Sequence, residues 1–195
     1  MHLPDVPHGI RLLGITGAPG AGKTTVAAAL RLPVVPMDGF HYADVELVRR
    51  GLRDRKGAPE TFDAEGYAAL LARVRAGESD VVAPMFERDL EQPIAGAIAV
   101  PATGTVVTEG NYLLLDEPRW RAVREQLDAV WHLRVDDAVR RERLVARHVE
   151  FGKTPDEARD WVARVDDANA ALIEAAAGRA DLVIELEAPP RTPPA

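Results

Sequence analysis

Gly17-Ala18-Pro19-Gly20-Ala21-Gly22-Lys23-Thr24 fits G-x-x-x-x-G-K-[ST] at every constrained position. Such a loop works only between a buried strand and the start of a helix. Its glycines let the backbone turn tightly and aim successive N–H groups at phosphate oxygens, while the helix adds its positive end. The flanking residues agree. Ile10 to Ile15 (IRLLGI) is a nearly continuous apolar run of the kind buried on both faces of a sheet, and KTTVAAALRL reads as a short helix. The segment Gly17, Ala18, Pro19, Gly20, Ala21, Gly22, Lys23, Thr24 and Thr25 is therefore expected to bind a nucleoside triphosphate. Lys23 reaches the β- and γ-phosphates, and the Thr24 hydroxyl holds Mg²⁺. The cofactors this predicts are ATP and Mg²⁺.

The rest of the chain alternates strand and helix patterns. Pro33 to Met37, VVAPMF, AIAV, Thr105 to Thr108, VWHLRV and DLVIEL read as strands. Helices are predicted from Ala64 to Ala76 with Asp63 as its cap, over PRWRAVREQLD, over an arginine-rich stretch from Asp136 to about Phe151, and after Thr154-Pro155-Asp156-Glu157, a capping box with proline at the first helical position. This order predicts an α/β three-layer P-loop NTPase fold with a parallel sheet and a small helical lid. One domain is expected over 10–186, the lid at about 140–160, with 1–9 a loose leader and 187–195 a flexible Pro-rich tail.

Composition narrows the partners. The chain of 195 residues has 24 Lys and Arg against 31 Asp and Glu, a formal net charge of -7, which opposes broad attraction to nucleic acid or anionic membrane. It has no cysteine, which removes thiol nucleophiles, disulfides and Cys-ligated metals. No apolar run reaches the roughly 20 residues that span a bilayer. A cytoplasmic location is expected. Absence of NKxD and LSGGQ-like strings speaks against a guanine switch and an ABC-type ATPase.

Open α/β sheets place their ligands at strand ends, so the remaining chemistry is sought there. Asp38, in Met37-Asp38-Gly39-Phe40-His41-Tyr42 after the second strand, is placed to take a proton from a hydroxyl attacking the γ-phosphoryl group. Asp38-Gly39 taken alone also reads as a turn. Glu109 closes the Thr105 to Thr108 strand, where an acid is needed near Mg²⁺ and its waters. Arg140, Arg143 and Arg147 share one helical face and could cover the transferring phosphoryl group; a solvated helix face is the other reading. His41 and Tyr42 follow the base and are substrate candidates. Arg88 is a candidate for an anionic group on the substrate, or an ion-pair partner of Glu91. Trp120, Trp131, Trp161 and His132 read as packing.

The segments GITGAPGAGKTT, MDGFHY, RKGAPETFD and VVTEGNYLLLDEPRW together resemble the phosphoribulokinase/uridine kinase/pantothenate kinase family of P-loop kinases, over Ile10 to Leu186. The segment between Thr24 and Met37 is shorter than the family pattern. The resemblance implies Asp38 as catalytic base, Glu109 at the metal, and Lys56, Glu60 and Asp63 near the acceptor. It favours Arg143 and Arg147 as lid residues and offers Arg179 as a nucleotide contact. The predicted activity is an ATP-dependent kinase with a small-molecule hydroxyl acceptor: nucleoside, pantothenate-like molecule or sugar. A regulatory P-loop ATPase without an acceptor is the alternative, and oligomeric state is unreadable.

Overall fold

The computed structural model describes residues 3–186; the Pro-rich tail expected at 187–195 lies outside the described residues, as do residues 1–2. Five strands form a parallel sheet in the order β2-β5-β1-β6-β7, with β1 at Leu12–Gly17, β2 at Val34–Pro36, β5 at Val106–Glu109, β6 at Ala129–Val135 and β7 at Leu182–Leu186. Alternation along β1 splits the core. Leu12 packs with α3 (Ala64–Arg75), α4 (Pro118–Arg124) and Ile173 of α7 (Asp167–Ala175), while Leu13 and Ile15 pack against α1 (Lys23–Ala29) and Val139 of α5 (Asp137–Glu150). Two apolar faces covered by helices give the α/β three-layer arrangement.

Local chemistry sets the helix starts. Asp63 accepts from the Gly66 N–H at 2.9 Å and caps α3. Asp136 accepts from Ala138 and Val139 and caps α5. Thr154 and Glu157 form the reciprocal capping box of α6 (Pro155–Trp161). Between α6 and α7 the chain makes a π-helical turn over Val162–Asp166. The alternation rule misplaces two strands. β3 (Val81–Glu87) and β4 (Gln92–Val100) pair with each other, antiparallel, in a separate two-stranded sheet. A short connection, Arg88 to Glu91, permits only a hairpin, because a parallel pairing needs a crossover of a dozen or more residues. A further helix, α2 (Asp44–Arg50), lies where the sequence reading placed none. The leader is tied down as well: Leu3 and Val6 pack against the core on the α1 side of the sheet. Among the described residues no helix is long and apolar enough to cross a membrane.

Candidate active site

A cleft of about 290 Å³ opens at the carboxyl ends of β1, β2 and β5. The loop and the start of α1 contribute Pro19, Gly20, Gly22, Lys23, Thr24 and Thr25. Asp38 enters from the turn after β2, Glu109, Gly110 and Asn111 from the end of β5, Arg143, Leu144 and Arg147 from α5, and Arg88 from the hairpin connection.

The loop conformation depends on its glycines. Gly20 and Gly22 have φ of +81° and +94°, where a side chain is strained, and a Cβ on Gly17 would lie 2.5 Å from the Leu133 carbonyl oxygen. Lys23 folds back so that its Nζ donates to the carbonyls of Gly17 at 2.9 Å and Ala18 at 3.2 Å. Burial pushes the Lys23 ammonium down to about 8, and Arg147 adds to this, while Glu109 and Asp38 oppose it. Thr24 Oγ1 donates to Glu109 Oε1 at 3.2 Å. Burial, reinforced by the Asp38 charge, raises the Glu109 carboxyl above its ordinary range; Lys23 and Thr24 pull the other way. One hydroxyl and one buried carboxylate side by side fit Mg²⁺, a hard cation that takes most of its ligands from phosphates and water rather than from a protein cage. Ala18 and Ala21 face a smaller cavity of about 190 Å³ behind the loop.

Asp38 sits in a 3₁₀ turn, Met37–Phe40. Gly39 permits that turn to lie against the hairpin, since a Cβ there would come within 2.7 Å of the Pro84 carbonyl carbon. His41 donates through Nδ1–H at 2.8 Å to the Asp38 carbonyl, and its ring lies 3.9 Å from that of Phe62 and 4.9 Å from that of Phe86. Burial lowers the His41 pKa, so the ring is neutral at pH 7. Backbone bonds Tyr42 N to Thr61 O at 2.9 Å and Asp63 N to Phe40 O at 2.8 Å lay the 56–63 segment along the Asp38 turn.

The structure divides the other candidates. His41, Tyr42 and Asp63 adjoin the Asp38 turn, and neither they nor Lys56 and Glu60 are among the residues lining the cleft. Lys56 pairs with Asp44 at 2.8 Å, Glu60 with Arg55 at 2.7 Å, and Asp63 is used as the α3 cap. Arg119 reaches Tyr42 at 3.5 Å and the Phe62 carbonyl at 2.7 Å. Arg88 lies 4.0 Å from Asp38 Oδ2 and is not paired with Glu91. On α5 the predicted shared face breaks up. Arg143 and Arg147 line the cleft, and Arg143 reaches the Gly20 carbonyl at 3.4 Å. Arg140 is 2% exposed and turns to Asp137 at 3.1 Å and Asp167 at 2.5 Å. Arg179 pairs with Asp116 at 2.8 Å and lies outside the cleft lining. Asn111 was missed by the sequence reading; its position directly after Glu109-Gly110 at a strand end was the available signal. The shortened stretch after Thr24 leaves Asp38 in the same cleft as Lys23.

No family model matches the chain. It is 32% identical over 193 residues to a candidate uridine kinase of Schizosaccharomyces pombe, an alignment covering 89% of this chain and 82% of that protein. It is 32% identical over 138 residues to a pantothenate kinase of Limosilactobacillus reuteri, covering 64% of this chain and 44% of that one. The crystal structure of a candidate fructose transport system kinase from Silicibacter sp. TM1040 superposes with a TM-score of 0.81 at 42% identity, covering 93% of each chain. A phosphate loop opening onto a cleft at the strand ends of a five-stranded parallel sheet defines a P-loop NTPase fold, and the likeness to named kinases makes the chain a P-loop kinase. Within that class the chain belongs to the phosphoribulokinase/uridine kinase/pantothenate kinase family. It is an ATP-dependent phosphotransferase that acts on the hydroxyl group of a small molecule.

Proposed function

We propose that the chain phosphorylates a hydroxyl of a nucleoside, a pantothenate-like molecule or a sugar, with Asp38 as the base. The observation that supports this most is that Asp38 lines the same cleft as Lys23, Thr24 and Glu109. A nucleotide switch without an acceptor has no need of a carboxylate there. Thr24, with Glu109 beside it, would hold Mg²⁺, and the ion would supply positive charge to the triphosphate. Lys23 exchanges its two loop carbonyls for phosphate oxygens. Arg143 and Arg147, carried on α5, balance charge on the equatorial oxygens as transfer proceeds. Asp38 accepts the hydroxyl proton at a carboxylate oxygen, and the neutral His41 ring holds the turn that presents it. Lys56, Glu60, Asp63 and Tyr42 shape the wall of the acceptor site around that turn.

Asp38→Asn keeps size and shape and removes the basic oxygen. General-base assistance is worth about 10²–10⁴ in rate, so kcat should fall at least about 100-fold while ATP·Mg²⁺ binding stays near that of the parent. The assay is ADP release against nucleosides, hexoses and pantothenate, with a one-phosphate mass gain on the acceptor. Hydrolysis indifferent to every acceptor would replace this reading with that of a regulatory ATPase. A collapse of ATP binding would move Asp38 to the metal.

A further inference from the structure

The chain places four cations at the cleft, Lys23, Arg88, Arg143 and Arg147, against two carboxylates, Asp38 and Glu109. Three of the cations belong to the phosphate loop and α5, where the triphosphate is expected. Arg88 does not. It comes from the connection between β3 and β4, and its nearest carboxylate among the described residues is Asp38, at 4.0 Å. That separation is far from the 2.7–2.9 Å of an engaged, charge-assisted Arg–carboxylate pair. Arg143 and Arg147 also lack a close carboxylate among the described residues, but they stand on the triphosphate side of the cleft; the cations of the 49–56 segment are taken up at close range. Arg49 and Arg50 lie 2.7 and 2.5 Å from Glu46, Arg53 lies 2.9 Å from Asp44, Arg55 lies 2.7 Å from Glu60, and Lys56 lies 2.8 Å from Asp44. Acids flank Arg88 in sequence, at Glu87, Asp89 and Glu91, yet Arg88 points past them to the cleft. A half-exposed guanidinium, held next to the base and left largely unneutralised, is a receptor for an anion arriving with the acceptor.

We infer that the acceptor carries a phosphate or carboxylate group in addition to the hydroxyl that is phosphorylated, and that Arg88 binds this group and so selects anionic acceptors over neutral ones. The inference deepens the kinase reading and rests on it. The planar fork of Arg88 suits both anions. Close by, the rings of His41, Phe62 and Phe86 offer an apolar surface, and the one cation over it, Lys56 at 5.4 Å from the Phe86 ring centre, is already paired with Asp44. Were Arg88 instead a fourth ligand of the transferring phosphoryl group, its loss would slow all acceptors alike.

Binding tests this without depending on turnover. With the loop saturated by the non-hydrolysable analogue AMP-PNP and Mg²⁺, the full chain is titrated with two matched pairs, fructose 6-phosphate against fructose and pantothenate against pantothenol. The charged member of at least one pair should bind about tenfold more tightly or better. Arg88→Gln should bring the ratio close to one, and Arg88→Lys should keep part of it. Equal affinity within both pairs overturns the inference, as does a preference that survives in Arg88→Gln. The phosphate and carboxylate arms tell which anion is taken. Acceptor-stimulated ADP release is read separately: a neutral acceptor turned over as well as its charged partner removes the inference and leaves the kinase, whereas failure of the kinase reading shows as hydrolysis blind to every acceptor.

Discussion

Lys23 shows how one residue is held against its own preference. Its ammonium is held close to the loop carbonyls and depressed to about 8, first by burial and then by Arg147. On the proposed role of Lys23, a phosphate needs the charged form, so ATP is expected to bind well only while Lys23 is protonated. The affinity for ATP·Mg²⁺ should be level from about pH 7 to 8. Above that it should fall by up to about tenfold per pH unit, with proton uptake on binding. Calorimetric titration across about pH 7 to 9.5 in buffers of different ionisation enthalpy reads both; a flat profile would mean that Lys23 titrates at its ordinary value. The sign for stability is the reverse. A lysine whose folded pKa lies below its unfolded one opposes folding while charged, and stability from this residue rises with pH between about 8 and 10.5.

Among the elements, α5 ties the arginines of the site to the loop. A Cβ on Gly20 would lie 2.8 Å from the Arg140 carbonyl oxygen and 3.0 Å from Leu144 Cγ, so loop and helix are in direct contact. The other side of α5 is gripped from the π-helical turn and α7. Asp166 takes His148 at 2.9 Å, and Asp167 takes Arg140 at 2.5 Å and Arg141 at 3.0 Å. Two successive carboxylates thereby fix the helix that carries Arg143 and Arg147. Asp167→Asn leaves the buried Arg140 with only the exposed Asp137. Removing one partner of a buried pair costs about 3–5 kcal/mol, a range that the part exposure of Asp167 places at its lower end. Urea unfolding should show that loss, and kcat should drop with it. A change below about 1 kcal/mol would show that packing of Leu144, fully buried, holds α5 without the ion pair.

For the whole molecule, nucleotide binding and folding are linked. The cleft draws its residues from the loop, the turn after β2, the hairpin, β5 and α5, so it exists only in the assembled fold. ATP·Mg²⁺ at about 100 times its Kd should stabilise the protein by about 2.7 kcal/mol. For a chain of this size that is a rise in Tm of about 5 to 10 °C. Lys23→Ala should lose most of the rise, as thermal unfolding with and without nucleotide will show; an unchanged rise would mean that the nucleotide is held elsewhere.

Some of this was legible in the order of residues. The loop motif, the apolar strand before it, the cap at Asp63 and the Thr154–Glu157 box depend on interactions within a few residues, and local spacing records them. The three-layer sheet followed from strand and helix alternation, and Asp38 and Glu109 from their places at strand ends. Contacts between distant segments were not legible. Nothing local to β3 and β4 says that they leave the parallel sheet, apart from the short connection between them. Arg140, Arg143 and Arg147 carry the same side chain on the same helix, yet Asp167, 27 residues beyond Arg140, turns one of them inward while the others face the cleft. Lys56 and Arg88 look alike in a sequence. The fold gives Asp44 to the first and leaves the second 4.0 Å from Asp38, because charge is neutralised by whichever carboxylate the tertiary structure brings near, and that distance is written nowhere along the chain.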